Sequence, residues 1–147
     1  MIVGFTGTRH GITSAQSLEL RDNLRVLKPT EFHHGDCVGA DTAAHVIAGR
    51  IEGVRIIIHP PAREIYRAFC QGDAVETVLK PRDYRLRNQD IVMACSTLIA
   101  TPRESFETVR SGTWSTVRFA RKMNRTILII YPDGKMITQH PTTNHHE

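Results

Sequence analysis

The stretch Arg110-Ser-Gly-Thr-Trp-Ser-Thr-Val-Arg-Phe-Ala-Arg121 lies between two apolar runs, at residues 97–101 and 126–131. Both runs are rich in aliphatic and β-branched residues, which is typical of buried strands. Apolar residues recur at helical spacing between positions 114 and 123, so one face of this segment is apolar. The segment therefore predicts a strand, a helix and a second strand that runs parallel to the first.

The same alternation of strand and helix continues outward through most of the chain. Strands are predicted at residues 2–5, 31–34, 54–58, 97–100 and 126–130, and helices at residues 13–28, 38–51, 83–95 and 114–123. Residues 62–81 are predicted to hold a short helix at 64–70 and then a loop. The sequence thus predicts an α/β protein with a doubly wound parallel sheet of five strands in the order 3-2-1-4-5.

Length and composition set the broad class of protein. A chain of 147 residues is long enough for one domain with its own core, so residues 1–147 are predicted as a single domain with a polar tail at 138–147. Three cysteines without CxxC spacing indicate a reducing, cytoplasmic setting. No apolar run is long enough for a membrane span. The net charge of +4, mostly from arginine, permits contact with phosphates or nucleic acid.

Two loops follow predicted strands that flank the point where the winding of the sheet reverses. The first holds Gly7, Thr8 and Arg9, and the second is the Ser-Gly-Thr sequence at 111–113 that opens a helix. Free N–H groups at the start of a helix bind anions, and ligands of such sheets bind at this reversal point. Gly7, Thr8, Arg9, Ser111, Gly112 and Thr113 are therefore predicted to bind a phosphate-bearing ligand, with Ser111 alternatively acting only as a helix cap.

The sequence His34-Gly-Asp-Cys-Val-Gly-Ala-Asp41 follows the second predicted strand. Gly35 and Gly39 loosen this turn and are predicted to contact the ligand, and Asp36 is either a helix cap or a ligand contact. Asp41 lies in the first helical turn, where a carboxylate is favoured by the helix dipole; alternatively it binds a ribose hydroxyl or acts as an acid or base. The adjacent histidines at 33 and 34 face opposite sides of a strand, so no metal site is predicted.

Arg87 and Asn88 lie at the start of the third long helix. Arg87 shares the inward helical face with Ile91, and an arginine in a core needs a partner. Arg87 is therefore predicted either to reach the crevice or to pair with Asp90 one turn later. Asn88 is predicted to contact a base, a sugar or the backbone.

These pieces together resemble the SLOG superfamily of Rossmann-like proteins, and most closely its small stand-alone members of the YspA and YpsA type. The resemblance rests on residues 4–9, 34–41, 87–91 and 110–114, and it spans nearly the whole chain. It implies a nucleotide or nucleotide-derived ligand, and a homo-oligomer.

The superfamily includes the Lonely Guy phosphoribohydrolases, which release the base from nucleoside monophosphates. The resemblance places their arginine at Arg87 and their Gly-Thr at residues 112–113, but their catalytic glutamate falls at Thr116. Threonine cannot act as a base near neutral pH, which leaves Asp36, Asp41 or Asp90 as substitutes. The superfamily also includes DNA-processing protein A, which loads recombinase onto single-stranded DNA and carries a similar Arg-Asn pair.

Three hypotheses follow from the sequence. The first is binding of a nucleotide-derived ligand without a bound cofactor; the second is hydrolysis or transfer at a nucleotide N-glycosidic bond, with Arg87 and Asp41 as the catalytic residues. The third is binding of single-stranded DNA, which the arginine excess favours.

Overall fold

The computed structural model describes residues 1–72 and 74–142 and consists of a seven-stranded sheet with helices on both faces. The strands are β1 (Ile2–Gly7), β2 (Glu31–His34), β3 (Arg55–Ile58), β4 (Val75–Val78), β5 (Thr97–Thr101), β6 (Thr126–Ile130) and β7 (Met136–Gln139). The helices are α1 (Ser14–Leu27), α2 (Ala40–Gly49), α3 (Tyr84–Ala94) and α4 (Gly112–Lys122), with a 3₁₀ turn at Glu64–Tyr66. No described helix has the length and apolar character needed to span a membrane.

The sheet order is β4-β3-β2-β1-β5-β6-β7, and every neighbouring pair is parallel except β6 and β7. The predicted order of the five central strands is confirmed, because β3, β2, β1, β5 and β6 follow it. The predicted number of strands is wrong, since the sheet gains one strand at each edge.

Both extra strands lie at sheet edges, where the sequence signal is weak. β4 occupies the segment predicted as a loop; it has four residues, and Glu76 and Thr77 interrupt its apolar pattern. β7 includes residues 138–139 of the predicted polar tail, and it pairs antiparallel with β6 after a turn at Gly134, whose φ is +89°. An Asp-Gly turn between strands is a hairpin signal, so this strand was detectable. The remaining tail residues 143–147 lie outside the described part of the chain.

The predicted helix at 64–70 is also wrong, since only the single 3₁₀ turn forms there. Residues 67–70 are held by Asp36 instead: its backbone oxygen accepts from Ala68 N at 2.7 Å, and its carboxylate accepts from Cys70 N at 2.8 Å. Phe69 has a φ of +53°, which ends any helical continuation.

The two faces of the sheet carry separate apolar clusters, because successive side chains of a strand alternate. α1 and α2 cover the face that presents Phe5 and Phe32, and α3 and α4 cover the face that presents Leu98 and Ile127. The chain winds from β1 to α1 on one side and reaches β5, the other neighbour of β1, through α3. The carboxyl ends of β1 and β5 therefore flank the place where the winding reverses.

Candidate functional site

A cleft of about 730 Å³ opens at the carboxyl ends of β1 and β5. It is lined by the loop after β1, including Gly7, Thr8 and Arg9, and by the first residues of α4 with their cap, 111–113. Thr8 N donates to Thr101 O at 3.3 Å, which ties the first loop to the end of β5. The two loops predicted to bind phosphate thus lie around one cavity.

The first loop is shaped by close packing against α2. A Cβ at Gly7 would overlap Ala40 Cβ, and a Cβ at Gly39, whose φ is +97°, would overlap the backbone oxygen of Arg9. Thr8 O accepts from Ala40 N at 3.0 Å, and Thr8 Oγ1 accepts from His10 N at 3.1 Å. Gly7 and Gly39 therefore permit close packing, and the Thr8 hydroxyl helps to hold its own turn.

The start of α4 leaves donors available to the cleft. Ser111 caps the helix, because its hydroxyl accepts from Trp114 N at 3.2 Å. The backbone N–H groups of Gly112 and Thr113 have no intrahelical acceptor at this position. The Thr113 side chain is only 6% exposed, lines the cleft and makes no hydrogen bond to another described residue. A Cβ added at Gly112 would meet no atom within 4 Å, so nothing packs on that side of the helix start.

Arg87 lies behind the cleft wall. Its Nη1 donates to the backbone oxygens of Gly35 and His59, the latter at 3.1 Å, and its Nη2 lies 3.5 Å from Cys37 Sγ. A Cβ at Gly35 would lie 2.5 Å from Arg87 Nη1, so only glycine leaves room for the guanidinium. The predicted pairing of Arg87 with Asp90 does not occur, because backbone oxygens satisfy Arg87.

Asn88 lines the cleft and is oriented by Arg87. Arg87 Nε donates to Asn88 Oδ1 at 2.8 Å. A guanidinium can only donate, so the amide oxygen of Asn88 must face it. The amide nitrogen of Asn88 remains as a donor for a ligand.

The three carboxylates that could replace the missing glutamate have different surroundings. Asp41 lines the cleft, and its Oδ2 accepts from Cys37 N at 3.1 Å. Asp36 is fully buried and pairs with Arg67 at 2.8 Å, so it neither caps α2, which begins after Gly39, nor lines the cleft. Asp90 forms a surface pair with Arg82 at 2.7 Å.

The pKa values of Asp41 and Asp36 are shifted in opposite directions. Burial raises the pKa of Asp41 to about 6, although the Arg87 charge and the Cys37 amide lower it. Burial would also raise the pKa of Asp36, but hydrogen bonds from Cys70 and the Arg67 guanidinium hold it below its ordinary value. Asp41 can thus change its protonation state near neutral pH.

Several cleft residues were missed by the sequence analysis: Arg63, Tyr66, Tyr84 and Arg103. Arg63 and Tyr66 belong to the irregular segment after β3, where no periodic pattern indicates a direction. Arg103 follows the end of a central strand by two residues, and this position could have indicated its role.

Four buried histidines form two chains of hydrogen bonds. As predicted, His33 and His34 face opposite sides of β2: His33 Nδ1 lies 2.7 Å from His59 Nε2, and His34 Nε2 lies 2.8 Å from His45 Nδ1. Burial lowers the pKa of His34 to about 3 and that of His59 to about 4, so both rings are neutral.

The His34 chain includes atoms that could hold a metal, which the sequence did not indicate. Ligand atoms of His34, His45 and Cys70 lie within 4.8 Å of one another. However, Asp36 N donates to His34 Nδ1 at 2.9 Å, which places the His34 proton on Nε2, the atom that a metal would need. His45 Nε2 then donates to Glu76 at 2.7 Å. The cluster fits a satisfied hydrogen-bond chain better than a metal site.

No family model matches the sequence, and no curated protein matches it. The fold is similar to that of the molybdenum cofactor binding protein from the phototrophic bacterium Rippkaea orientalis, with a TM-score of 0.64 and 21% sequence identity. The similarity covers 88% of this chain and 76% of that protein. The chain therefore shares its α/β fold with a solved protein.

Proposed function

We propose that the chain binds a nucleotide, or a phosphorylated ligand derived from one, in the cleft at the carboxyl ends of β1 and β5. The observation that carries this proposal is the start of α4. There, two free backbone N–H groups and Thr113, a residue that is only 6% exposed, line the same cavity as the loop at 7–9. Such a helix start favours an anionic oxygen, and Asn88 and Asp41 supply a donor and an acceptor for a sugar or a base.

Two likenesses support this proposal. The motifs of the cleft resemble those of the SLOG superfamily, whose members bind nucleotides. The Rippkaea orientalis protein binds the molybdenum cofactor, which supports binding of a small molecule on this fold in general. That cofactor therefore belongs among the ligands to be tested.

A thermal-shift panel of nucleotides, ADP-ribose, cyclic dinucleotides and the molybdenum cofactor tests the proposal. We expect at least one of them to raise the melting temperature, and Arg9→Ala to reduce that rise because Arg9 lines the cleft. Arg50→Ala is the matched control, since Arg50 is an exposed arginine at the far end of α2. The absence of a shift with every ligand, together with no small molecule released on denaturing the purified protein, would contradict the proposal.

Hydrolysis of a nucleotide N-glycosidic bond is the second candidate, and Asp41 favours it. Asp41 lines the cleft and has a pKa near the pH at which a general base works best, whereas Asp36 and Asp90 are held in other pairs. Incubation with nucleoside monophosphates should then release free base, and Asp41→Ala should abolish the release. If no common monophosphate releases its base, this candidate fails.

Binding of single-stranded DNA is favoured by aromatic side chains at the surface. Tyr66 and Tyr84 line the cleft and are 37% and 62% exposed, and they lie beside arginines on which a phosphate backbone could rest. We expect the affinity for an oligonucleotide to fall steeply with salt if this candidate is right. Retention that does not change with salt argues against it.

A further inference from the structure

Four arginines line the cleft without a carboxylate partner among the described residues: Arg9, Arg63, Arg103 and Arg110. All four are exposed to the cleft or its rim. Arginine is favoured where a planar donor must contact a phosphate through two hydrogen bonds. The number of arginines that lack a carboxylate partner therefore indicates how many anionic groups the ligand carries.

The three carboxylates that line the cleft accept hydrogen bonds from other donors. Asp41 accepts from Cys37 N, Glu104 accepts from Trp114 Nε1 at 3.1 Å, and Asp83 caps α3 by accepting from Arg85 N at 3.0 Å.

Glu107 belongs to the same loop as Arg103 and Arg110, but it pairs with two arginines of α4. Its carboxylate lies 2.7 Å from Arg121 Nη1 and 3.4 Å from Arg118 Nη1. Glu107 thus pairs with the helix, and in the described part of the chain Arg103 and Arg110 have no carboxylate partner.

The four arginines form two groups on different walls. Arg9 lies over the ring of Tyr66 at 5.2 Å, and Tyr66 N donates to Arg63 O at 3.1 Å, so these residues form one wall, the Tyr66 wall. Arg103 follows β5, and Arg110 precedes the cap of α4; they form the second wall, the α4 wall.

The strands that precede Arg63 and Arg103 end farther apart than a single phosphate can span. Arg63 follows β3 and Arg103 follows β5, with β2 and β1 between these strands. Three strand spacings of about 4.8 Å separate the strand ends by about 14 Å. The cleft volume of about 730 Å³ lies in the upper part of the usual range for small-molecule sites.

The α4 wall also carries a polar group that has no hydrogen-bond partner among residues 1–72 and 74–142. The hydroxyl of Thr113 lines the cleft from a side chain that is more than nine-tenths buried. This wall therefore offers the helix start and the Thr113 hydroxyl to one anionic group, in addition to its two arginines.

We propose that the ligand carries two anionic groups separated by at least a ribose, one for each wall, as in a nucleoside 3′,5′-bisphosphate or a dinucleotide. This inference rests on the proposed function and narrows its ligand class. The α4 wall binds one phosphate, the Tyr66 wall binds the other, and Asn88 contacts the part between them.

Isothermal titration calorimetry with three adenosine ligands tests the inference on the intact chain. AMP carries one phosphate, ADP carries two at the same end, and adenosine 3′,5′-bisphosphate carries two at different ends. We expect the bisphosphate to bind about 10- to 100-fold more tightly than AMP, because its second phosphate forms charge-assisted hydrogen bonds with the second wall. ADP should bind only slightly more tightly than AMP. This comparison separates the effect of where the phosphates lie from the effect of how many there are.

Two variants locate the contacts. Arg63→Gln should lower the affinity for the bisphosphate about 10-fold and leave the affinity for AMP unchanged. Arg110→Gln should lower the affinity for both ligands. Equal affinities for AMP and the bisphosphate, or equal effects of the two variants on AMP, would overturn the inference while leaving nucleotide binding intact. If none of the three ligands binds while another ligand with a single phosphate does, the inference is also wrong. If no phosphorylated ligand binds at all, it fails together with the proposed function.

Discussion

Replacing Asp41 by asparagine is expected to stabilise the folded chain near neutral pH and to change its stability little in acid. Asp41 is 7% exposed, and its burial raises the pKa of the carboxyl to about 6. In the unfolded chain the same group ionises near 3.8. The free energy of unfolding therefore falls as the pH rises from 3.8 to 6, because the carboxyl ionises more readily in the unfolded chain. Above that range the loss reaches its full size.

The size of the effect follows from the two pKa values. A difference of about two between folded and unfolded states corresponds to about 3 kcal/mol at pH 7.5. Asparagine retains an oxygen that can accept from Cys37 N, so the substitution removes the charge and keeps this contact. In a chain of 147 residues, about 3 kcal/mol corresponds to a rise in melting temperature of about 6–12 °C.

Thermal and urea unfolding of both proteins at pH 7.5 and pH 4 measure this difference. We expect a gain at pH 7.5 and almost none at pH 4, where the folded carboxyl is already protonated. Asp90→Asn is the matched control, because it removes an exposed pair with Arg82 and should cost less than about 1 kcal/mol. A gain of the same size at both pH values, or a loss at pH 7.5, would refute the reasoning.

Three further substitutions test the cleft. Gly112→Ala should raise the free energy of unfolding by about 0.5 kcal/mol, because the added methyl group meets open space and glycine disfavours a helix. The same substitution should reduce the rise in melting temperature that a bound nucleotide causes, and an unchanged rise would contradict this. Asn88→Asp should not lower the melting temperature, because the new carboxylate faces Arg87 Nε. It should weaken ligand binding at least about 10-fold in calorimetry, and equal binding would show that the ligand does not use the amide donor. Gly35→Ala should cost about 1–3 kcal/mol in urea unfolding, since its Cβ would lie 2.5 Å from Arg87 Nη1, and wild-type stability would show that the guanidinium moves freely.

The central sheet was predictable because its strands are buried on both faces. β5 and β6 are nearly continuous apolar runs. The Gly-Thr sequence at residues 7–8 marks the end of β1, and the Gly-Thr sequence at residues 112–113 marks the start of α4. The edge strands were missed because they are short and partly exposed. Their sequences therefore lack the continuous apolar pattern of buried strands. The single domain remains a prediction.

The loops of the candidate site could be located from the sequence, but the role of Arg87 could not. Its partners are the backbone oxygens of Gly35 and His59, and any residue type supplies such an oxygen. Similarly, residues 67–70 are fixed by hydrogen bonds to Asp36, more than thirty positions earlier, which local periodicity does not report. Tyr66 directly precedes this segment, so one wall of the cleft was not predicted.

The chain has a single tryptophan, Trp114, and it lies beside the candidate anion site. Its ring is 1% exposed, and its indole N–H donates to Glu104, a carboxylate of the cleft lining. A ligand that displaces Glu104 would change the polarity around the indole and so shift its fluorescence. The protein thus contains its own optical probe, and binding could be followed by emission without any label.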